Sequence, residues 1–171
     1  MIKGCATVGD KPWAGEPDKA QWVDEATDLD CLIVRNRIGA LCGYVGMPPG
    51  HPLHGQSHSN LEALDIDVHG GLTYAGPCQE DGDVCHVPEL GRPVDVWWFG
   101  FDCAHAWDVV PAFVSSHLPD STYRDIAYVR AECGSLAAQV ARVVMADASM
   151  RHPIKPKGTK PHYNRRRHST R

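Results

Sequence analysis

The groups best able to do chemistry gather between His51 and Asp108. The run Phe-Asp-Cys-Ala-His-Ala-Trp-Asp sets Asp102, His105 and Asp108 three residues apart, so a helical turn there would bring all three to one face. An imidazole flanked by carboxylates suits two chemistries. It can help hold a divalent ion, or a carboxylate can fix its tautomer and basicity for acid–base catalysis. His69, followed by Gly70 and Gly71, adds a second imidazole. The expected site therefore joins His69, Asp102 and His105 as metal ligands or acid–base groups, with Asp108 as orienter or further ligand. Zinc is the first ion expected, with another divalent metal as the alternative, because a metal-bound water would supply the nucleophile that no partnered serine provides. Gly70 and Gly71 would let an anionic or carbonyl oxygen approach their backbone N–H groups. His51 and His54, in H-x-x-H spacing, would contribute a further ligand, a substrate contact or a lid. The competing account makes Asp102 a cap, His105 a satisfied, partly buried side chain and Asp108 a solvated one.

Other residues invite a chemical reading with less support from their surroundings. Cys103 beside an imidazole would be a reactive thiol, but its place on an apolar run favours a buried, inert one. Cys31, Cys42 and Cys133 share that expectation. Cys78, Cys85 and His86 allow three readings: part of a structural zinc site with an unusually wide C-x6-C spacing, a local disulfide, or free thiols. Trp97, Trp98 and Trp107 read first as core and second as stacking platforms for a base or a sugar.

The elements that must position these groups follow from periodicity. Apolar, β-branched runs at 31–35 and 40–45, separated by Asn36, Arg37, Ile38 and Gly39, predict a hairpin. Residues 64–75 alternate Leu64, Ile66 and Val68 with Asp65, Asp67 and His69, which predicts a strand kinked at Gly70 and Gly71. Residues 94–101 (VDVWWFGF) read as the strongest strand, delivering Asp102 and His105 at its end. Ala20, Val23 and Ala26 predict a short helix over 16–26. Ile126, Val129, Cys133, Leu136, Val140 and Val143 predict a long amphipathic helix over 123–148, capped by Asp120, Ser121 or Thr122. The segments after Met47 and over 77–92 read as long His- and Cys-containing loops. The expected fold is α+β: a small antiparallel or mixed sheet packed against a long C-terminal helix.

Composition bounds the rest. A chain of 171 residues, 43% hydrophobic, suits one core, expected over residues 1–150. The net charge of −4 conceals an acidic body, about −12, and a basic stretch over 151–171 that carries eight Lys and Arg and no acid. Lys155, Lys157, Lys160, Arg165, Arg166 and Arg167 are candidates for contact with nucleic acid, a protein partner or the chain's own acidic body. The stretch is expected to be disordered or partner-bound. No apolar run approaches a bilayer-spanning length, and residues 1–10 lack a signal-peptide pattern, so a soluble, unexported chain is expected.

Four segments carry a resemblance: CGYVGMPPGHPLHG (42–55), DVHGGLTYAG (67–76), WWFGFDCAHAWD (97–108) and YRDIAYVRAECGSLAAQ (123–139). Together they resemble a family of uncharacterised bacteriophage and bacterial proteins, over roughly residues 24–144. The resemblance implies no particular reaction. It implies a phage or prophage setting, and so a small accessory protein in the cytoplasm of a bacterial or phage-infected cell, or one associated with the virion. Two functions are expected: a metal-dependent hydrolase acting on a small anionic substrate, or a non-enzymatic accessory protein that binds nucleic acid or a protein partner through its basic tail.

Overall fold

The computed structural model describes residues 11–78 and 83–151. It is an α+β fold with one five-stranded sheet and one long helix. The strands are β1 (Lys19–Asp24), β2 (Leu29–Arg35), β3 (Leu41–Met47), β4 (Tyr74–Pro77) and β5 (Trp97–Asp102), and the helix is α1 (Ile126–Arg151). The sheet order is β1-β2-β3-β5-β4, with every pairing antiparallel.

The expected hairpin forms as β2 and β3, in register from Asp30 opposite Gly46 to Arg35 opposite Leu41. Its turn is set by Asn36, whose side-chain oxygen accepts from the backbone N–H of Ile38 and of Ala40. Both strands are buried almost throughout, as expected of continuous apolar runs covered on both faces. On one face Cys31, Ile33, Val45 and Phe101 pack against Val129, Cys133, Leu136 and Val140 of α1. On the other, Leu32, Val34, Cys42, Tyr44 and Trp98 meet Val84 and Val96 of the segment leading into β5. Gly43 leaves room for both of its neighbours on the helix-covered face: a Cβ there would sit 2.5 Å from the Phe101 ring and 2.7 Å from the Cys133 sulfur of α1.

Two sequence expectations are corrected. Residues 16–26 form no helix; most of that segment is strand β1, paired along its length with β2. A short helix gains little by itself, whereas a six-residue ladder on the edge of a buried strand satisfies the backbone and suits Trp22 and Val23. Residues 64–73 form no strand, and only Tyr74–Pro77 joins the sheet, beside β5. Asp65, Gly70 and Gly71 have φ of 50°, 66° and 84°, which breaks the extended run. Helix side chains replace a neighbouring strand there: Gln139 accepts from the N–H of Asp67 at 2.8 Å and donates to its carbonyl at 2.7 Å. Glu132 accepts from the N–H of His69 at 2.9 Å.

The long helix starts at Ile126, and Asp125 rather than an earlier residue caps it, accepting from the N–H of Tyr128. Glu16 assists from the other end of the chain, accepting from the N–H of Ile126 and from the hydroxyl of Tyr123. Cys31, Cys42, Cys103 and Cys133 are buried thiols as expected, and Cys78 and Cys85 are joined in a disulfide. Trp98 is core, while Trp107 is 60% exposed. Among the described residues no helix is long and apolar enough to cross a membrane. The candidate contact residues Lys155, Lys157, Lys160, Arg165, Arg166 and Arg167 lie outside the described residues.

Candidate acid–base site

At the end of β5 the chain does not continue as a helix. It folds into a turn in which the N–H of Asp108 donates to the carbonyl of His105, and Asp108 then bridges to Thr122. The turn drives the Asp108 side chain inward until it is 1% exposed. A carboxylate that deep must be fully partnered, and Asp108 is. Its Oδ1 accepts from Nε of Arg124 at 2.8 Å; its Oδ2 accepts from the His105 backbone N–H at 3.0 Å and lies 2.8 Å from Nε2 of His69. Burial alone would push its pKa up, but the hydrogen bonds from Arg124, His69 and His105 outweigh burial and hold it below the usual carboxylate value.

His69 is delivered by the turn that the paired glycines permit. With Nε2 facing the Asp108 carboxylate, the neutral ring carries its proton on that nitrogen. Its Nδ1 is then the acceptor, and it lies 3.0 Å from the hydroxyl of Tyr128. The result is an ordered chain from Asp108 through His69 to Tyr128. Tyr128 stands in the first turn of α1, where the Arg124 guanidinium lies 4.9 Å from its ring centroid. Burial and the neighbouring Glu132 raise the Tyr128 pKa, which keeps its hydroxyl protonated as a donor.

His105 flanks this chain, its ring 5.4 Å from that of His69. Its Nε2 is buried without a hydrogen-bond partner, 3.9 Å from Oδ1 of Asp102, and occupies the space a Cβ on Gly70 would need. Asp102 is committed to local structure: it accepts from the Thr73 hydroxyl at 2.9 Å and from the N–H of Ala104 at 3.1 Å. Gly71 spends its N–H on the carbonyl of Val68, closing the turn.

The fold therefore brings His69, His105 and Asp108 together and places Asp102 beside His105. His51 and His54 belong to a different group. His51 accepts from the N–H of Leu53, and His54 lies 4.0 Å from Asp95 and beside Trp97. Burial, and secondarily His54, lower the His51 pKa. Among the described residues no hydrogen bond or ion pair joins either to the His69 group. Nor is any set of three or more His, Cys, Asp or Glu side chains among them arranged to hold a metal.

The site contains residues that sequence reasoning missed: Tyr128, Arg124 and Glu132. Their signal is their spacing of four, a polar stripe running alongside the apolar face of Val129, Cys133 and Leu136. Cys103, weighed as a nucleophile, is buried, and burial pushes its thiol pKa well up. No protein-family model matches the chain, and neither a curated protein nor a solved structure shows significant similarity to it.

Proposed function

We propose that the protein is a small hydrolase working by acid–base catalysis, in which Asp108 orients His69 and His69 withdraws a proton through Tyr128. The observation that carries this reading is the His69 imidazole, held at both nitrogens between a buried carboxylate at 2.8 Å and a tyrosine hydroxyl at 3.0 Å. Base, orienter and hydroxyl stand in the order that activates a nucleophile. Because both ring nitrogens are engaged, a substrate-side proton reaches His69 only through the Tyr128 oxygen. As water attacks, its proton passes to that oxygen while the tyrosine's own proton moves to Nδ1. Asp108 then stabilises the imidazolium formed, and Arg124 beside the Tyr128 ring favours an anionic substrate.

The metal-dependent form of the same hydrolase remains a narrower proposal. The donor set fits a metal poorly as arranged, since a zinc or other divalent ion on His69 would have to displace the Tyr128 hydroxyl from Nδ1. The test uses p-nitrophenyl acetate and p-nitrophenyl phosphate with the purified chain, alongside elemental analysis. Tyr128→Phe and His69→Ala are expected to lower kcat/KM by roughly 10²–10⁴-fold, the range of positioned acid–base groups, while the circular dichroism spectrum is retained. Hydrolysis unchanged in both folded variants overturns the reading.

The charge contrast between the acidic body and residues 151–171 favours a second reading, an accessory protein inside the bacterial or phage-infected cell that binds nucleic acid or a partner through that stretch. Removing residues 152–171 separates the two: the hydrolase keeps its turnover, whereas the accessory protein loses salt-dependent binding to duplex DNA or its assembly.

A further inference from the structure

We propose that residues 83–96 form a strap over the second face of the sheet, latched by the Cys78–Cys85 disulfide and released when a dithiol reduces it. The two faces of the sheet are covered in different ways. One carries α1, while the other, with Leu32, Val34, Tyr44 and Trp98, lies under a segment that forms neither helix nor strand.

What holds this segment is mostly polar, and it comes from β1, β2 and the turn between them. Val87 and Gln21 exchange two hydrogen bonds at 2.7 and 3.0 Å, and Arg92 pairs with Asp28 at 2.8 Å and Asp30 at 2.9 Å. Of its apolar side chains only Val84 and Val96 pack on the sheet, while Val87, Leu90 and Val94 are exposed. A covering stretch with few buried apolar contacts opens at low cost.

Beneath it His86 is wedged inward, with a side chain only 3% exposed. Its ring lies 5.2 Å from that of Trp98, its Nε2 is 4.0 Å from Asp30, and neither ring nitrogen completes a hydrogen bond. A cavity of about 30 Å³, lined by Asp30, Gln21, Val87 and Glu89, adjoins it. A buried imidazole whose ring nitrogens are poorly satisfied gains by reaching water. The closed strap therefore works against the preference of His86, and the cross-link ties Cys85, near its start, to Cys78, whose N–H donates to the carbonyl of Val96 at its end.

Cys78 and Cys85 are half-buried, unlike the four buried thiols, so an external dithiol can reach them. One thiolate of the dithiol attacks a cysteine sulfur and breaks the S–S bond, forming a mixed disulfide. The second thiol then displaces the other cysteine sulfur. Two protein thiols and an oxidised, cyclic reductant result, and the two protons of the dithiol end on Cys78 and Cys85. Opening then exposes His86, Asp30 and Trp98.

Hydrogen exchange on the full-length chain, with and without dithiothreitol, tests the latch. Peptides spanning 83–96 are expected to exchange at least tenfold faster after reduction and to slow again on reoxidation, while β2 and β3 stay protected. Cys78→Ser/Cys85→Ser should match the reduced wild type, and adding His86→Leu to that pair should restore slow exchange. If the serine pair fails to fold, reversible reduction of the wild type still decides the matter. Exchange in 83–96 that does not respond to reduction, or a rise shared equally by β2 and β3, overturns the proposal.

Discussion

Gly70 and Gly71 show how much a single position can be asked to do. Both adopt a left-handed φ, which an L side chain enters at a cost of about 1–2 kcal/mol. They differ in what stands nearby: a Cβ on Gly71 meets open space, whereas one on Gly70 would lie 1.8 Å from Nε2 of His105. Gly71→Ala should therefore cost about 1 kcal/mol, and Gly70→Ala clearly more, about 3 kcal/mol, because His105 must also leave its seat. Urea denaturation measures both, and equal costs would show that His105 does not rest on Gly70. The residue types of this site could be read in advance. His69, His105 and Asp108 were singled out by chemistry and spacing, and the structure brings them together. Acid–base His69 and orienting Asp108 are among the roles their types suggest, but Tyr128 was not legible, because the geometry that turns Asp108 inward and lifts His69 onto Tyr128 belongs to two turns and a helix far apart in sequence.

At the scale of elements, hydrophobic pattern served well where an element buries both its faces or one long face. The β2–β3 hairpin, β5 and α1 all carry apolar residues at the period their structure needs. It placed the start of β5 three residues early, since 94–96 are not strand, and it failed at two segments decided by their neighbours. Residues 16–26 have weak helical spacing, and an open edge on β2 drew residues 19–24 into the sheet. Residues 64–73 alternate like a strand, yet Gln139 and Glu132 of α1 supply the backbone partners that another strand would have given. That substitution is testable. Gln139→Ala should leave α1 and the sheet intact but raise amide exchange at Asp67, and Glu132→Ala that at His69, by roughly an order of magnitude, the equivalent of about 1 kcal/mol for a lost hydrogen bond. Unchanged exchange would mean that the turn at 68–71 holds the segment by itself.

At the scale of the molecule, the described residues form a sheet between two unlike covers, with two aspartates buried among them. Asp108 is tied to His69 and Arg124, and Asp30 to Arg92 with His86 standing off. Burial first, opposed by Asp30 and aided by Arg92, lowers the His86 pKa below its ordinary 6.5. A histidine with a depressed folded-state pKa binds protons more readily when unfolded, so burying it costs least above 6.5, where it is neutral in both states, and stability is lost as pH falls below 6.5 through the folded value. The carboxylate of Asp108, held below 3.8, contributes above that value and fails only in stronger acid. The urea midpoint should thus fall in two separate stages, one beginning below pH 6.5 and the other below pH 3.8. His86→Leu should remove the first and leave the second, and a first stage that persists in this variant would place its origin elsewhere.

The sequence by itself determined the α+β class, the hairpin, the aromatic strand, the long helix, the burial of four thiols and the identity of the imidazoles and carboxylate that meet. All of these follow from residue type and short-range period, which water and the backbone enforce locally. Tertiary structure alone decided that Tyr128 would complete the chain from Asp108, that Asp102 would serve its own turn, that His51 and His54 would stand apart, and that Cys78 would pair with Cys85. The chain through His69 depends on where a turn aims a side chain, and that aim is fixed by distant partners: Asp108, Tyr128 and Glu132 lie 39, 59 and 63 residues from His69, and Gln139 lies 72 from Asp67.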